Sequence, residues 1–306
     1  MLISCFSGLS FKPTKTVLYL GGAVYENDVM QFTGHEEGRI RFSPAAGAQP
    51  NALYYDYMLK DHLGNVRMVL TEEVQTNAYP VASMEPAQEA NESQYYTNIN
   101  STIRSTKPAN YPADSYTSPN QYAAKLRGDA GTTKIGPAIL LKVMAGDKFN
   151  LRVNSWWSYG GGGSLNAPNP LTELASVLAN GIAGASGGKV TAIDLNNSGL
   201  TSTAATSFLS TQNGALTTRP RAFVNWVLLD ENFNIAKDSA GGYIRDGYSN
   251  FQQVGDADAF TTHSLVNAPI NKNGYLYIYV SNQSPNMDVY FDNLQVTHIK
   301  GPILEE

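Results

Sequence analysis

The segment KDHLGNVR, residues 60–67, brings an acid, a histidine and an arginine close together. Asp61 and His62 could form an acid–base pair, because histidine titrates near neutral pH. Catalysis by such a pair also requires a nucleophile, and none lies nearby in the sequence. The Gly64-Asn65 dipeptide between two apolar runs instead favours a strand–turn–strand unit. The segment is therefore interpreted as a structural turn whose polar residues are Lys60, Asp61, His62, Gly64, Asn65 and Arg67.

Aromatic residues give a second possible chemistry, the stacking of a flat ring on a sugar. In the run FNLRVNSWW, residues 149–157, alternation places Trp157 on the apolar face and Trp156 on the polar face. Trp156 is therefore expected to expose its ring beside a glycine-rich loop. The predicted ligand-binding residues are Trp156, Tyr159, Tyr243 and Tyr248.

A row of tyrosines has two possible interpretations. The run GYLYIYVSN places Tyr275, Tyr277 and Tyr279 on one face of a strand. Such a row is either a cross-strand packing ladder or a sugar-stacking face.

Acidic residues do not form an obvious catalytic pair. A glycosidase needs two carboxylates on either side of a cleft, and the acidic residues of the second part of the chain mostly occupy turn positions. YGGGGS lacks the Lys-Ser/Thr of a phosphate-binding loop. The sequence therefore predicts no enzyme. The acidic residues at turn positions are Asp147, Asp230, Glu231, Asp246, Asp256 and Asp258.

Composition narrows the class of protein. Charged residues make up 15% of the 306 residues, below the roughly 25% of an average globular chain. The net charge of −5 gives no electrostatic footprint for nucleic acid, and no apolar run is long enough to span a membrane. Cys5 is the single cysteine, so no internal disulfide forms. A polar, uncharged, tyrosine-rich chain is typical of extracellular or cell-surface β proteins.

The elements of the first part of the chain are short strands. Gly21-Gly22 joins two β-rich runs, a strong hairpin signal. EEGRIRF adds an alternating strand after Gly38. Residues 16–71 are therefore predicted to form an antiparallel β-meander with an exposed edge.

Here the sequence resembles a known family. YLGGAVYENDVMQFTGHEEGRIRF and YYDYMLKDHLGNVRMVL resemble the last YD repeats and the core segment of RHS (rearrangement hotspot) surface proteins of the Bacteroidetes type. The resemblance implies a β-sheet that spirals into a hollow shell, which encloses a toxin in some members, and a partner in the remaining YD-repeat shell. The chain departs from the family because neither the YYPFG-type segment nor the self-cleavage aspartate follows.

The second part of the chain is also predicted to be β. GYLYIYVSN and VYFDNLQVTHI are its final strands, and short helices are expected after Asn169-Pro170 and over residues 203–209. This layout resembles jelly-roll β-sandwiches of the carbohydrate-binding-module and galactose-binding type. The predicted fold is all-β, with an RHS/YD-repeat fragment at 1–75, a jelly-roll sandwich at 76–298 and a return to the RHS core at 299–306.

A structural calcium ion is the one cofactor expected. Phe291 and Leu294 have opposite parity, so both can be buried only if a bulge at Asp292-Asn293 interrupts the strand. The resembled modules often hold calcium between an Asp at this place and a Glu early in the first strand. That resemblance implies a metal site made by Glu85, Asp292 and Asn293, with backbone carbonyls near residues 125–128.

Three functions remain open from the sequence. The first is a non-catalytic cell-surface or secreted RHS fragment whose sandwich binds a polysaccharide or cell-surface glycan, or mediates adhesion. The second is a purely structural insert of the shell with no ligand. The third is a module associated with a glycoside hydrolase.

Overall fold

The computed structural model describes residues 2–6, 13–45, 50–129, 131–159, 165, 203–301 and 304–305. The chain divides into two compact units. Unit 1 is Met1–Gln75 with Gly301–Glu306, and unit 2 is Thr76–Lys300. Both are built from antiparallel sheets, and the few short helices described all lie in unit 2, so the predicted all-β class is confirmed. No helix in the described ranges is both long and apolar enough to cross a membrane.

Unit 1 is one eight-stranded sheet, in which seven strands follow one another in chain order and the last strand pairs with the seventh. Strands β2 to β7 cover the predicted meander of residues 16–71, which is confirmed. The strands are β1 (Leu2–Phe6), β2 (Pro13–Leu20), β3 (Ala23–Glu26), β4 (Val29–His35), β5 (Gly38–Ser43), β6 (Ala52–Lys60), β7 (Val66–Thr71) and β18 (Leu304–Glu305).

Turn residues fix the register of this sheet. Gly21 and Gly22 have φ values of 58° and 89°, the left-handed backbone that a two-residue hairpin between β2 and β3 requires. Between β6 and β7, Asp61 Oδ1 accepts hydrogen bonds from the backbone N–H groups of Leu63 and Asn65, each at 2.9 Å. Asp61 Oδ2 accepts another from Arg67 Nε at 3.0 Å. The turn interpretation of KDHLGNVR is confirmed.

The few buried side chains of unit 1 are polar. Within residues 15–45 and 50–75, only Asp56 and Thr71 are buried. Asp56 Oδ2 accepts hydrogen bonds from Arg39 Nε at 2.8 Å and from Arg41 Nε at 3.2 Å. Burial acts to raise the pKa of Asp56, but the hydrogen bonds from Arg39, Thr71 and Arg41 outweigh it, so the pKa is lowered. Ion pairs and hydrogen bonds thus connect the strands here, in place of an apolar core.

Unit 2 is a sandwich of two sheets with a short helix α1 (Glu89–Glu92) near its start. Sheet I has the order β15-β12-β17-β10-β9, with β8 paired to β17, and sheet II has the order β11-β16-β13-β14. Its strands are β8 (Thr76–Ala78), β9 (Arg104–Thr106), β10 (Tyr122–Leu126), β11 (Ile135–Val143), β12 (Lys148–Trp157), β13 (Ala222–Leu229), β14 (Asn250–Gln253), β15 (Thr261–Pro269), β16 (Gly274–Asn282) and β17 (Val289–Ile299).

The strand order is that of a jelly roll. The eight consecutive strands β10 to β17 form two four-stranded sheets, β15-β12-β17-β10 and β11-β16-β13-β14. This arrangement is the pair of interlocked Greek keys that defines a double-sheet jelly roll. The jelly-roll prediction is confirmed.

The apolar core lies between the two sheets. Trp157 from sheet I belongs to it, as alternation predicted, and so does Trp226 from sheet II. Phe291 and Leu294 are each only 1% exposed. Both can point inward because the register of β17 against β12 shifts between Arg152 and Asn154, and Asn293 has a φ of 55°. The predicted bulge at residues 292–293 is confirmed.

A second apolar cluster covers the outer face of sheet II. Helix α2 (Thr203–Thr211) packs onto it through Phe208. Tyr277 and Tyr279 stack with ring centroids 5.1 Å apart, and Tyr275 stacks on Phe233 at 4.3 Å. The packing interpretation of the tyrosine row is confirmed, as is the helix at 203–209. The helix expected after Asn169 lies outside the described residues.

Candidate functional site

The outer face of sheet I is covered by residues 107–121, the connection between β9 and β10, hereafter the covering segment. Tyr111 contacts Trp156 and Tyr290, with ring centroids 5.5 and 6.3 Å apart. Further along, the ring of Tyr116 lies 3.1 Å from the guanidinium carbon of Arg152 on β12. The segment therefore packs against the polar face of the sheet through its aromatic side chains.

Trp156 is on this outer face, as predicted, but its ring is not exposed. It retains only 2% of its accessible surface, because Tyr111 and Tyr290 pack against it at 5.5 and 5.7 Å. The expectation of an exposed stacking ring is wrong. Trp156 Nε1 is buried and has no hydrogen-bond partner among the described residues. An unsatisfied buried donor is uncommon in folded proteins and calls for an explanation.

A cleft of about 270 Å³ opens beside this tryptophan. Tyr290 also lines this cleft, because Trp156 and Tyr290 are direct partners on the neighbouring strands β12 and β17. Tyr290 is half-buried, and burial, with a contribution from Asp288, raises its pKa, so its hydroxyl is a neutral donor at physiological pH. The residues that line the cleft are Pro108, Asn110, Arg127, Trp156, Ser158, Asp288 and Tyr290.

Charges in and around the cleft are balanced. Arg127 Nε lies 2.8 Å from Asp129 Oδ2 and 3.5 Å from Asp288 Oδ1. Lys125 Nζ lies 3.4 Å from Asp288 Oδ2. Two cations thus face two carboxylates, and all four side chains are roughly a third exposed. Partly exposed ion pairs of this kind add little stability, but they offer polar atoms to a ligand without a net charge.

The other predicted ligand-binding residues do not join Trp156. Tyr159 is 64% exposed, contacts Trp157 at 4.9 Å and is not among the residues that line the cleft. Tyr243 packs against the apolar cluster of sheet II, with Lys237 Nζ 5.0 Å from its ring centroid. Tyr248 packs against the core between the sheets. The structure therefore places the four predicted residues in different parts of the sandwich.

Asp292 and Asn293, predicted as metal ligands, lie in a network with the covering segment. Lys107 Nζ is 2.6 Å from Asp292 Oδ2 and 3.6 Å from Asp114 Oδ2, and it also contacts Asn120 Oδ1. Asn293 Nδ2 donates to Asp292 Oδ2 at 3.0 Å. Burial raises the pKa of Asp292 to about 7, although Lys107 acts to lower it.

These residues do not fit a calcium ion. Lys107 Nζ already contacts Asp292 Oδ2, at 2.6 Å. Glu85 Oε1 accepts hydrogen bonds from the backbone N–H groups of Gln121 and Tyr122, at 2.5 and 3.0 Å, and thereby holds the end of the covering segment. Within the described part of the chain, no group of three or more His, Cys, Asp or Glu side chains could hold a metal ion.

One buried pair has the composition of a catalytic dyad. Ser155 Oγ is 2.8 Å from His263 Nε2, and His263 Nδ1 is 3.3 Å from Gln252 Oε1. Ser155 is 1% and His263 4% exposed, so neither side chain is open to a substrate. Burial lowers the pKa of His263 to about 4. Without access for a substrate, the pair serves to join β12 to β15.

A second cleft, of about 230 Å³, is lined by two carboxylates, Glu85 and Glu92. Glu92 Oε1 accepts hydrogen bonds from the backbone N–H and the hydroxyl of Ser83, at 3.0 and 2.5 Å. Burial raises the pKa of Glu92. Both carboxylates are used to hold backbone segments, as Glu85 does with Gln121, so their arrangement is accounted for by structure.

Comparisons with known proteins identify no family. No protein-family model matches the chain, and no curated protein matches it. Among solved structures, the chain is similar to the CBM22-1–GH10 modules of the N-terminal endo-1,4-beta-D-xylanase of Clostridium thermocellum in complex with xylohexaose. The TM-score is 0.29 at 9% identity, and the match covers 72% of this chain and 28% of that one. At this TM-score the likeness does not establish a shared fold.

Proposed function

We propose that the chain is a non-enzymatic part of a cell-surface or secreted protein, and that its sandwich binds a neutral carbohydrate in the cleft beside Trp156 and Tyr290. The observation that carries this proposal is the cleft itself, in which two aromatic rings stand beside balanced charges. Small-ligand sites combine apolar walls with a few placed polar groups.

The chemistry of the cleft suits hydroxyl groups. Arg127 and Asn110 offer donors, Asp288 offers acceptors, and the half-buried Tyr290 offers both an apolar ring and a hydroxyl. The Trp156 indole N–H lacks a partner among the described residues, and a bound hydroxyl that reached it would satisfy this donor. Because the two cations are matched by two carboxylates, a charged sugar gains no net attraction over a neutral one.

Titration against neutral oligosaccharides and polysaccharides tests the proposal. For a bound neutral glycan, we expect Tyr290→Ala to weaken affinity at least tenfold, because it removes the most accessible ring of the cleft. Tyr243→Ala is the matched control, because Tyr243 packs on sheet II, and its replacement should leave affinity unchanged. Binding that survives Tyr290→Ala, or that Tyr243→Ala removes, would contradict this site.

The proposed origin of unit 1 is the YD-repeat shell of an RHS protein. It is supported by the KDHLGNVR segment and by the meander that carries it, in which Asp61 organises the turn. We expect the coding frame around this chain to contain further YD repeats. A frame without any such repeat would contradict the RHS origin, and it would leave the carbohydrate proposal untouched.

A purely structural insert is the second candidate, and the burial of Trp156 favours it. A ring that is 2% exposed stabilises the sandwich whether or not a ligand binds. If no neutral or charged glycan binds the intact chain, this second candidate replaces the first.

A further inference from the structure

Lys107 has an unusual environment for a lysine. Its side chain is 12% exposed, and its Nζ lies 4.9 Å from the centroid of the Tyr111 ring. Three polar groups surround the same nitrogen: the carboxylates of Asp292 and Asp114, at 2.6 and 3.6 Å, and the side-chain carbonyl oxygen of Asn120. A lysine amine that has given up a proton to a neighbouring carboxylate is a nucleophile.

The Asn120 amide is held from both ends. Its carbonyl oxygen contacts Lys107 Nζ. Its nitrogen donates to Asp114 Oδ1 at 2.7 Å and to the Asp114 backbone carbonyl at 3.2 Å. Asp114 Oδ2 makes no hydrogen bond to the described residues, and the side chain is 4% exposed. Asp114 thus faces the nitrogen that would leave, while Asp292 faces the nitrogen that would attack.

We propose that Lys107 and Asn120 join in an intramolecular isopeptide bond, formed without any cofactor. Lys107 Nζ first gives a proton to Asp114 Oδ2, 3.6 Å away. The amine then attacks the side-chain carbonyl carbon of Asn120, and a new C–N bond forms. Asp292 accepts the proton that the attacking nitrogen gives up. Asp114 passes the proton that it received to the departing amide nitrogen, which leaves as ammonia. The amine and the primary amide thereby become a secondary amide plus ammonia, with no change in oxidation state.

The two carboxylates supply general acid–base catalysis where each proton must move. Burial raises the pKa of Asp292 to about 7, so near neutral pH it can both accept and return a proton. A second lysine–aspartate ion pair, on sheet I, lies in a more exposed position. Lys125 pairs with Asp288 at 3.4 Å, but both side chains are about a third exposed, and Lys125 serves as the internal control.

The bond would close the covering segment into a ring from residue 107 to residue 120. That segment provides Pro108 and Asn110 to the cleft, so the cross-link would fix one wall of the site. Closing a loop covalently removes conformations from the unfolded chain and thereby stabilises the fold. The inference depends on the network at Lys107 and does not require that a carbohydrate bind.

Mass spectrometry of the intact purified chain tests the proposal. We expect a mass lower than the sequence mass by one ammonia, and a branched proteolytic peptide that joins Lys107 to Asn120. Lys107→Arg keeps the positive charge but cannot form the amide, so it should show the full mass, whereas Lys125→Arg should still lose ammonia.

Three results would overturn the proposal. The first is the full sequence mass for the wild-type chain, which would leave an ion pair. The second is loss of water, which would place the bond on an aspartate. The third is loss of ammonia that persists in Lys107→Arg, which would indicate cyclisation of an asparagine with its own backbone.

Discussion

Unit 1 and unit 2 use the same strand patterns but bury very different amounts of side chain. In unit 1 the described strands form one sheet, and Asp56 and Thr71 are its buried residues. In unit 2 two sheets enclose one apolar cluster, and helix α2 covers a second. Alternation thus predicts which residues share a face of a strand. Burial requires a second layer against that face.

This difference in burial predicts that the two units differ in local stability. We expect this to be the largest of the effects predicted here. Amide hydrogen exchange in β13 and β16 should require near-global unfolding of unit 2, at ~5–15 kcal/mol. Amides of β3 to β6 should exchange through local opening that costs several kcal/mol less, because few side chains are buried there. Equal protection of the amides in residues 16–71 and in β13 and β16 would show that unit 1 is not locally less stable than unit 2.

A matched pair of phenylalanines tests the same contrast by mutation. Phe291→Ala empties a site that is 1% exposed in the core of unit 2 and should cost about 3–5 kcal/mol. Phe42→Ala removes a half-buried ring from unit 1 and should cost about 1 kcal/mol. Urea denaturation followed by tryptophan fluorescence reports unit 2 alone, since Trp156, Trp157 and Trp226 all lie in it. Circular dichroism reports both units, and similar losses for the two variants would remove the contrast.

Acid should weaken unit 2 selectively through His263. Burial lowers its pKa from the ordinary 6.5 to about 4. Below pH 6.5 the unfolded chain therefore takes up a proton that the folded unit does not. The stability that unit 2 gains by keeping His263 neutral is fully present above pH 6.5. It is lost as the pH falls to about 4, which lowers the free energy of unfolding by roughly 3 kcal/mol.

The pH dependence of the urea midpoint, followed by tryptophan fluorescence, measures this effect. His263→Gln should flatten the slope between pH 6.5 and 4. His62→Gln is the control, because His62 is exposed in the turn of unit 1. A slope that survives in His263→Gln would assign the acid sensitivity to other groups.

Sequence reasoning succeeded where local geometry decides the outcome. The opposite parity of Phe291 and Leu294 demanded a bulge, and the backbone provides one at Asn293. The same alternation also places Tyr290 outward, opposite Trp156, so this cleft residue could have been found from VYFDN.

Prediction from the sequence failed where a segment distant along the chain determines whether a side chain is exposed. Trp156 has the outward parity of an exposed residue, but Tyr111 covers it. The covering segment has no strand or helix periodicity that would predict where it packs. Tyr243 was grouped with Trp156 by composition alone, and the topology places it on sheet II. Long-range packing of irregular segments is not encoded in a local pattern.

Calcium dependence is the smallest expected effect, because both carboxylates that the sequence suggested as ligands already have partners. An ion stabilises a fold only in proportion to its preferential binding to the folded state. Asp292 is paired with Lys107 at 2.6 Å, and Glu85 is occupied by the backbone N–H groups of Gln121 and Tyr122. A calcium ion would have to separate Asp292 from Lys107 Nζ and draw Glu85 away from both donors. We therefore expect thermal melting of unit 2 to be unchanged by a chelator. A lower Tm on chelation that added calcium restores, and that Asp292→Ala abolishes, would establish the ion and give unit 2 a stabiliser beyond its core.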